Sequence, residues 1–321
     1  VYTRILVPLD GSAVAEEALA HAVQMADRFG SELIFLRAVF LPQVAAFDLA
    51  EVQQALVRES QAYLNEMARP LRAPGRRIHT VVRWSEAAEA IIEYAVTQQV
   101  AVVVMATHGH RGLESWPMGS VAEKVLRSMQ VRLLLVRSSQ RPDSALEPAW
   151  RTAPSVSSAD RLYRTTCPLS ETAGVMYNTI LVPLDGSDLA ASILAQVEHL
   201  AHGYGARLIL LTVGPSLPVS WPGAQDIQRT LTFEAEAALE RLRTTLALTG
   251  LEVEMMVCIG DPASEILEAA ERYEVDLIIL NSRGGQGAPS PFLGSVAAKV
   301  AGASAIPVLV LNTSAEKIAP L

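Results

Sequence analysis

A chain of 321 residues with only two cysteines, Cys167 and Cys258, has no disulfide framework to organise it. The two show no CxxC spacing. A single bridge between them stays open, but a reduced, cytoplasmic setting is the expectation. Aromatic residues are scarce at 5%, while hydrophobic residues make up 50%, so the core must be aliphatic, which suits an α/β protein better than a β-sandwich. Long apolar runs are missing too. VAVVVMA (Val100 to Ala106) and DLIIL (Asp276 to Leu280) fall well short of the roughly 20 residues a membrane span needs. The first residues, VYTRILVPLD, lead into a strand-like run without a signal-peptide pattern, so a protein off the membrane is expected. Positive charge is in deficit, with a formal net charge of −8, which argues against sequence-independent nucleic-acid binding but leaves room for a local phosphate pocket.

What is present is a repeat. ILVPLDGS occurs at Ile5 to Ser12 and again at Ile180 to Ser187, and the same 175-residue offset carries Gly30 to Gly205, Gly109 to Gly284, Gly119 to Gly294, Ser120 to Ser295 and Lys124 to Lys299. A register held over a whole half implies duplication of a complete domain. The expected division is 1–137, a Ser/Pro-rich linker over 138–175, and 176–315. Trp150, Leu162 and Tyr163 suggest that part of the linker packs on a domain surface.

Within each half, strands and helices alternate. The first half reads as strand Arg4–Leu9, helix Ala13–Phe29 stopped by Gly30, strand Leu33–Val39 and a helix from about Asp48 to Met67. Strand Ile78–Arg83, helix Ala87–Gln98, strand Val100–Ala106, helix Ser120–Ser128 and strand Val131–Val136 follow, and the second half repeats this list from Thr179 to Leu311. Continuous apolar strands separated by helices predict two tandem, doubly wound, five-stranded parallel sheets, an α/β Rossmann-like architecture.

The Asp-Gly-Ser ending is not a hairpin turn, because a helix follows it in both copies. Ser12 and Ser187 stand where helix N-caps belong, with Glu16 and Glu17 or Asp188 near the helix start. Asp10 and Asp185 instead fall at the carboxyl end of strand 1, where open α/β sheets bind ligands. A carboxylate there can accept hydrogen bonds from a ribose or base, or bind a metal.

After strand 4 both halves fit G-x2-G-x6-G-S: Gly109, Gly112, Gly119 and Ser120, then Gly284, Gly287, Gly294 and Ser295. Glycines let backbone N–H groups approach an anion, and the Gly-Ser that opens the next helix adds a positive dipole end and a hydroxyl. A loop ending in a plain serine cap is the alternative. The P-loop lysine motif is missing, and the glycines follow strand 4 without fitting G-x-G-x-x-G, which weakens a dinucleotide reading.

These features together resemble the tandem form of the universal stress protein family, within the adenine nucleotide alpha hydrolase-like group of folds. The resemblance rests on ILVPLDGS, GDPASEIL (Gly260 to Leu267), VDLIILNSRG (Val275 to Gly284), GSVAEKVL (Gly119 to Leu126) and PVLVL (Pro307 to Leu311). In the ATP-binding branch, the strand-1 Asp and the backbone after strand 2 hold the nucleoside, and the glycine loop and Gly-Ser helix start hold the phosphates. The resemblance therefore implies Asp10, Ala38, Gly109, Gly112, Gly119, Ser120 and Val121 in a first ATP site, and Asp185, Val213, Gly284, Gly287, Gly294, Ser295 and Val296 in a second, with Mg or Mn held through the phosphates. It also implies an intrachain pseudo-dimer in which strands Val131–Val136 and Pro307–Leu311 pair edge to edge, and allows a further homo-dimer. The first half departs from the family pattern at Ser85-Glu86-Ala87, where the second has Gly260-Asp261-Pro262, at Ala101 for Asp276, and at Arg132 for Pro307. Trp116 and Pro117 can reshape its glycine loop, and Pro289 and Pro291 can stiffen the other.

Catalytic equipment is sparse. His108 and His110 flank Gly109 without a counterpart in the second half, His199 and His202 share a helix face at i, i+3 without a third ligand, and Arg111 and Arg283 are phosphate-neutralising or solvated. Lys124 and Lys299 fall beyond the first helical turn. The expected function is a nucleotide-dependent stress-response regulator with at most slow ATP hydrolysis. A nucleotide-free scaffold of the same fold, or an adenylate-transferring enzyme, are the alternatives, the last disfavoured by the absence of a catalytic lysine or an SGGxDS-type loop.

Overall fold

The computed structural model describes residues 2–40, 50–107, 118–128, 131–137, 177–186, 188–218, 220–221, 223–282 and 294–312. The first half contains β1 (Arg4–Pro8), α1 (Ala13–Phe29), β2 (Glu32–Val39), α2 (Ala50–Ala68), a 3-10 turn (Arg69–Leu71), β3 (Ile78–Trp84), α3 (Ala87–Thr97), β4 (Val102–Ala106), α4 (Ser120–Ser128) and β5 (Arg132–Val136). The second contains β6 (Thr179–Pro183), α5 (Asp188–Tyr204), β7 (Arg207–Gly214), α6 (Ala224–Ala247), β8 (Val253–Ile259), α7 (Pro262–Arg272), β9 (Leu277–Asn281), α8 (Ser295–Ala303) and β10 (Val308–Leu311). Boundaries differ from expectation by a residue or two; β4, for example, starts at Val102, and the Val100 amide still turns back to Ala95 O of α3. The start expected for α2 at Asp48, and the linker 138–175 up to its last residue, lie outside the described residues.

All ten strands form one sheet in the order β3-β2-β1-β4-β5-β10-β9-β6-β7-β8. Every described pairing is parallel except β5–β10, where Leu135, Leu134 and Leu133 face Val308, Leu309 and Val310 in antiparallel register. The edge-to-edge pairing of the two final strands is therefore present, and it joins two five-stranded parallel sheets. Strand alternation distributes the side chains to two cores. Ile5, Val7, Phe35 and Leu134 face α1 and α2, while Leu6, Ile34, Leu36 and Val103 face α3 and α4. Residues of both halves share each core: Leu309 packs with Leu134, and Val308 and Val310 with Leu133 and Leu135. Since α1 and α5 cover the same side, the pseudo-twofold axis runs normal to the sheet, and such an axis makes two like edges meet antiparallel.

The scarce aromatics gather over this junction. Tyr2 and Tyr177 occupy equivalent positions, as do Phe29 and Tyr204. Ring centroids lie 5.1 Å apart for Tyr2–Phe29, 5.6 Å for Phe29–Tyr204 and 4.9 Å for Tyr177–Tyr204, spacings at which edge and tilted ring contacts are favourable. The Phe29 ring rests against Gly203, where a side chain would collide with it. Arg132, the departure from Pro307, donates from Nε to Gln196 Oε1 of α5 at 2.6 Å and lies over the Tyr2 ring at 5.5 Å.

His21 of α1 contacts the Tyr177 hydroxyl through Nδ1 at 2.6 Å. Burial raises the Tyr177 phenol well above its ordinary value, so the hydroxyl keeps its proton and shares this hydrogen bond with a neutral imidazole. Burial also lowers His21 from 6.5 to about 4. An unfolded chain thus takes up a proton on His21 that the folded chain refuses. Stability is complete above pH 6.5 and falls as the pH drops towards 4, by about 3 kcal/mol from this group. His21→Gln, which installs the residue found at the equivalent position 196, is expected to flatten that part of the profile in urea melts between pH 7 and 4. A variant with the same pH slope as the wild type would contradict the assignment.

Candidate functional site

Beyond β1 the chain stays extended for one residue, because Leu9 N–H donates to Leu36 O at 2.8 Å. It then turns through Asp10 and Gly11. Gly11 has φ +88, a left-handed conformation that a side chain would disfavour. Ser12 follows as the N-cap of α1, its Oγ accepting from Ala15 N at 3.1 Å. The same serine is also bound to Asp10: its N–H and Oγ donate to Asp10 Oδ1 at 2.9 and 2.6 Å. The cap and the aspartate are one hydrogen-bonded unit, and the exposed Asp10 carboxylate is held at the sheet's carboxyl edge.

Between β1 and β4, where the strand order of the first half reverses, a cavity of about 490 Å³ opens. Leu36, Ala38, Ile91 and Met105 give it apolar walls, and Asp10, Thr107 and Ser120 stand among its polar lining. Of the expected first-site residues, Asp10, Ala38, Ser120 and Val121 all line this cavity. Gly119 immediately precedes Ser120, and its amide donates to Thr107 O at 2.8 Å, while Thr107 N–H donates to Val136 O at 2.9 Å. That amide closes the base of the glycine loop, and because Glu123 N–H already donates to Gly119 O, the amides left to meet an anion at this helix start are those of Ser120, Val121 and Ala122. Gly109 and Gly112, with His108, His110, Arg111, Trp116 and Pro117, lie outside the described residues. Sequence reasoning missed Phe40, Ser85, Met105 and Thr107, which also line the cavity. Thr107, polar and directly after an apolar strand, carried a signal, whereas the apolar members look like ordinary core.

The second half repeats the framework. Leu184 N–H donates to Leu211 O at 2.8 Å, Gly186 has φ +74, Ser282 N–H donates to Leu311 O at 2.7 Å, and Gly294 N–H donates to Ser282 O at 2.8 Å. Asp185 follows β6, Val213 lies in β7, and Ser295 and Val296 open α8. At the place of Thr107, Ser282 Oγ is buried and finds no hydrogen-bond partner among the described residues. Gly284, Gly287, Ser187, Arg283, Pro289 and Pro291 lie outside the described residues.

Other candidates have structural places. His199 stacks on Tyr2 and Phe29 at the junction, with centroids 6.0 and 5.2 Å apart. Lys124 pairs with Glu86 and Glu89 at 3.3 and 3.4 Å, and Lys299 with Asp261 at 3.5 Å, all on exposed helix surface. Among the described residues no group of three or more His, Cys, Asp or Glu stands together as metal ligands, and no helix is long and apolar enough to cross a membrane.

Because Ser12 both caps α1 and holds Asp10, Ser12→Ala is expected to cost about 1–2 kcal/mol of stability in urea melts. An unchanged midpoint would contradict the coupling.

The model of the universal stress protein family matches residues 2–137 and again 176–312. Universal stress protein YxiE of Bacillus subtilis is 34% identical over 148 residues, covering 43% of this chain and 100% of the relative. Universal stress protein MJ0531 of Methanocaldococcus jannaschii is 31% identical over 147 residues, 44% of this chain and 85% of the relative. Among solved structures, a universal stress protein from Archaeoglobus fulgidus superposes with a TM-score of 0.67 at 18% identity, covering 97% of this chain and 96% of that one, which shows a shared fold. With the family pattern present twice over one continuous sheet, the chain belongs to the universal stress protein family in its tandem form.

Proposed function

We propose that the chain binds ATP in the cavity between β1 and β4, and that nucleotide occupancy sets its conformation or association during a stress response. The observation that carries this reading is the lining itself. A volume of about 490 Å³ lies within the roughly 300–1,000 Å³ usual for small-molecule sites. Its walls are apolar enough for a purine, and its polar groups stand where a nucleoside triphosphate needs them. In this reading the Asp10 carboxylate accepts from a ribose hydroxyl or the base, the backbone at Ala38 meets the base, and the Ser120 hydroxyl with the Ser120 and Val121 amides takes phosphate. Gly109, Gly112 and Gly119 complete the phosphate loop, and Mg or Mn is held through the phosphates. Asp185, Val213, Gly284, Gly287, Gly294, Ser295 and Val296 form the second site of the same kind, and the domains run over 1–137 and 176–315.

Among the described residues lining the cavity, Asp10 is the one ionisable side chain. Proton transfer or nucleophilic attack ordinarily needs a base with a partner within hydrogen-bond reach. In this reading the nucleotide is retained with at most slow hydrolysis, a sensor's behaviour.

Calorimetric titration and thermal melts with MgATP test this. At a hundredfold excess over Kd, bound ATP adds about 2.7 kcal/mol of stability, a rise of several degrees in Tm. Asp10→Ala and Ser120→Ala are each expected to weaken binding at the first cleft, the former by about tenfold or more. A wild-type chain that neither titrates with MgATP nor shifts its melt would overturn the reading.

A further inference from the structure

The turn that carries Asp10 is braced from below, and among the described residues its counterpart in the second half has no such brace. Arg37 of β2 points to the α1–α2 side of the sheet, opposite to the neighbouring Leu36 and Ala38, which line the cavity. Its guanidinium lies 3.5–3.7 Å from the position where a Cβ would project from Gly11. The Tyr63 ring of α2 lies against the same guanidinium, 4.7 Å from its carbon to the ring centroid. The Tyr63 hydroxyl donates to Glu16 Oε1 in the first turn of α1 at 2.8 Å. Glu16 is held above the usual carboxyl range, chiefly by burial, with Asp10 and Glu66 adding to the effect and the Tyr63 hydrogen bond opposing it. β2, α2 and α1 thus converge beneath the two-residue turn whose next partner is the Asp10–Ser12 unit.

Each component is replaced in the second half. Arg37 pairs in register with Val82, and at the equivalent place Thr212 pairs with Val257. Tyr63 becomes Ala238, and Glu16 becomes Ala191. Gly186 keeps a positive φ of 74, and among the described residues nothing lies within 4 Å of its would-be Cβ. Among the described residues, therefore, the turn is filled from below in the first half only. A glycine turn has much conformational freedom to lose on binding, and a flat guanidinium stacked between it and an aromatic ring removes that freedom beforehand.

We infer that Arg37, held by the Tyr63 ring whose hydroxyl Glu16 fixes, is a positioning residue for the Asp10 turn, and that the two clefts therefore bind nucleotide unequally, the first more tightly. The inequality rests on the ATP reading above; the brace itself does not.

The test is calorimetric titration of the full chain with MgATP, alongside amide exchange of the segment 9–13, for the wild type, Arg37→Thr and Arg37→Lys. The wild type is expected to show one tight site, or two sites of unequal affinity. Arg37→Thr, which installs the second half's residue, weakens the tighter site by about tenfold. It also speeds exchange at Gly11 and Ser12 towards that of Gly186. Arg37→Lys keeps the charge without the plane and recovers little of either, whereas recovery by lysine would show that charge alone acts and overturn the stacking brace. If the threonine variant does not fold, the lysine variant carries the comparison. Two equal sites in the wild type, or a folded Arg37→Thr that binds and exchanges like the wild type, would overturn the inference. A wild type that binds no ATP overturns the ATP reading and the inequality with it. Exchange at Gly11 then decides the brace alone: faster exchange in Arg37→Thr supports it, and unchanged exchange overturns it.

Discussion

The antiparallel pairing of β5 with β10 is the contact on which the rest of the molecule depends. Each half alone would end in an edge strand of leucines and valines, Leu133 to Val136 or Val308 to Leu311, buried to within a few per cent in the assembled sheet. Open edges of that kind invite unplanned pairing. Joining them satisfies both at once, merges the cores on each side of the sheet, and brings α1 against α5. The few aromatic side chains then have an evident use. Tyr2, Phe29, Tyr177 and Tyr204 close the gap above the joined strands, and Arg132 and His21 reach across to Gln196 and Tyr177. Duplication thereby turns a surface that would otherwise meet a second chain into an internal one.

That arrangement leaves the strand carboxyl ends of both halves free to build clefts. The first cleft is assembled from backbone closures as much as from side chains. Leu9 N–H to Leu36 O fixes where the Asp10 turn begins, and Gly119 N–H to Thr107 O fixes where α4 begins. The second half makes the same closures at Leu184 and Gly294. What differs is the layer beneath: Arg37 and Tyr63 support one turn, and Thr212 and Ala238 stand at the equivalent places under the other. Equality of motif does not imply equality of site.

Most of the architecture was legible in the sequence, for a physical reason. Strands buried on both faces must be continuously apolar, helices on such a sheet must show apolar spacing of three and four, and a repeat at constant offset ties the halves together. Ile5 to Val7, Ala15 to Ala26 and Gly30 carried those signals without ambiguity. Asp10 and Ser12 were legible singly, one as a ligand group and the other as a cap, but their mutual hydrogen bond was not, because it depends on the φ of Gly11. Contacts between the halves left little trace: Arg132 read only as a departure from proline, and nothing in the sequence marked Tyr2 for the junction. Arg37 looked like any strand arginine, since its meaning comes from Gly11 above it and Tyr63 beside it, which meet only in the folded chain. For the same reason the direction of the Gly119 amide, turned to Thr107 O, could not be read from a glycine spacing.

The central claim is that this cleft, built at the reversal of strand order, holds a nucleotide on Asp10 and the start of α4. An electron-density map of the full chain crystallised with MgATP tests it most directly. The account predicts density for the nucleoside between Asp10 and Ala38 and for phosphate at Ser120 and Val121, stronger in the first half than in the second. Nucleotide density elsewhere on the chain, or none in either cleft at saturating MgATP, would contradict it.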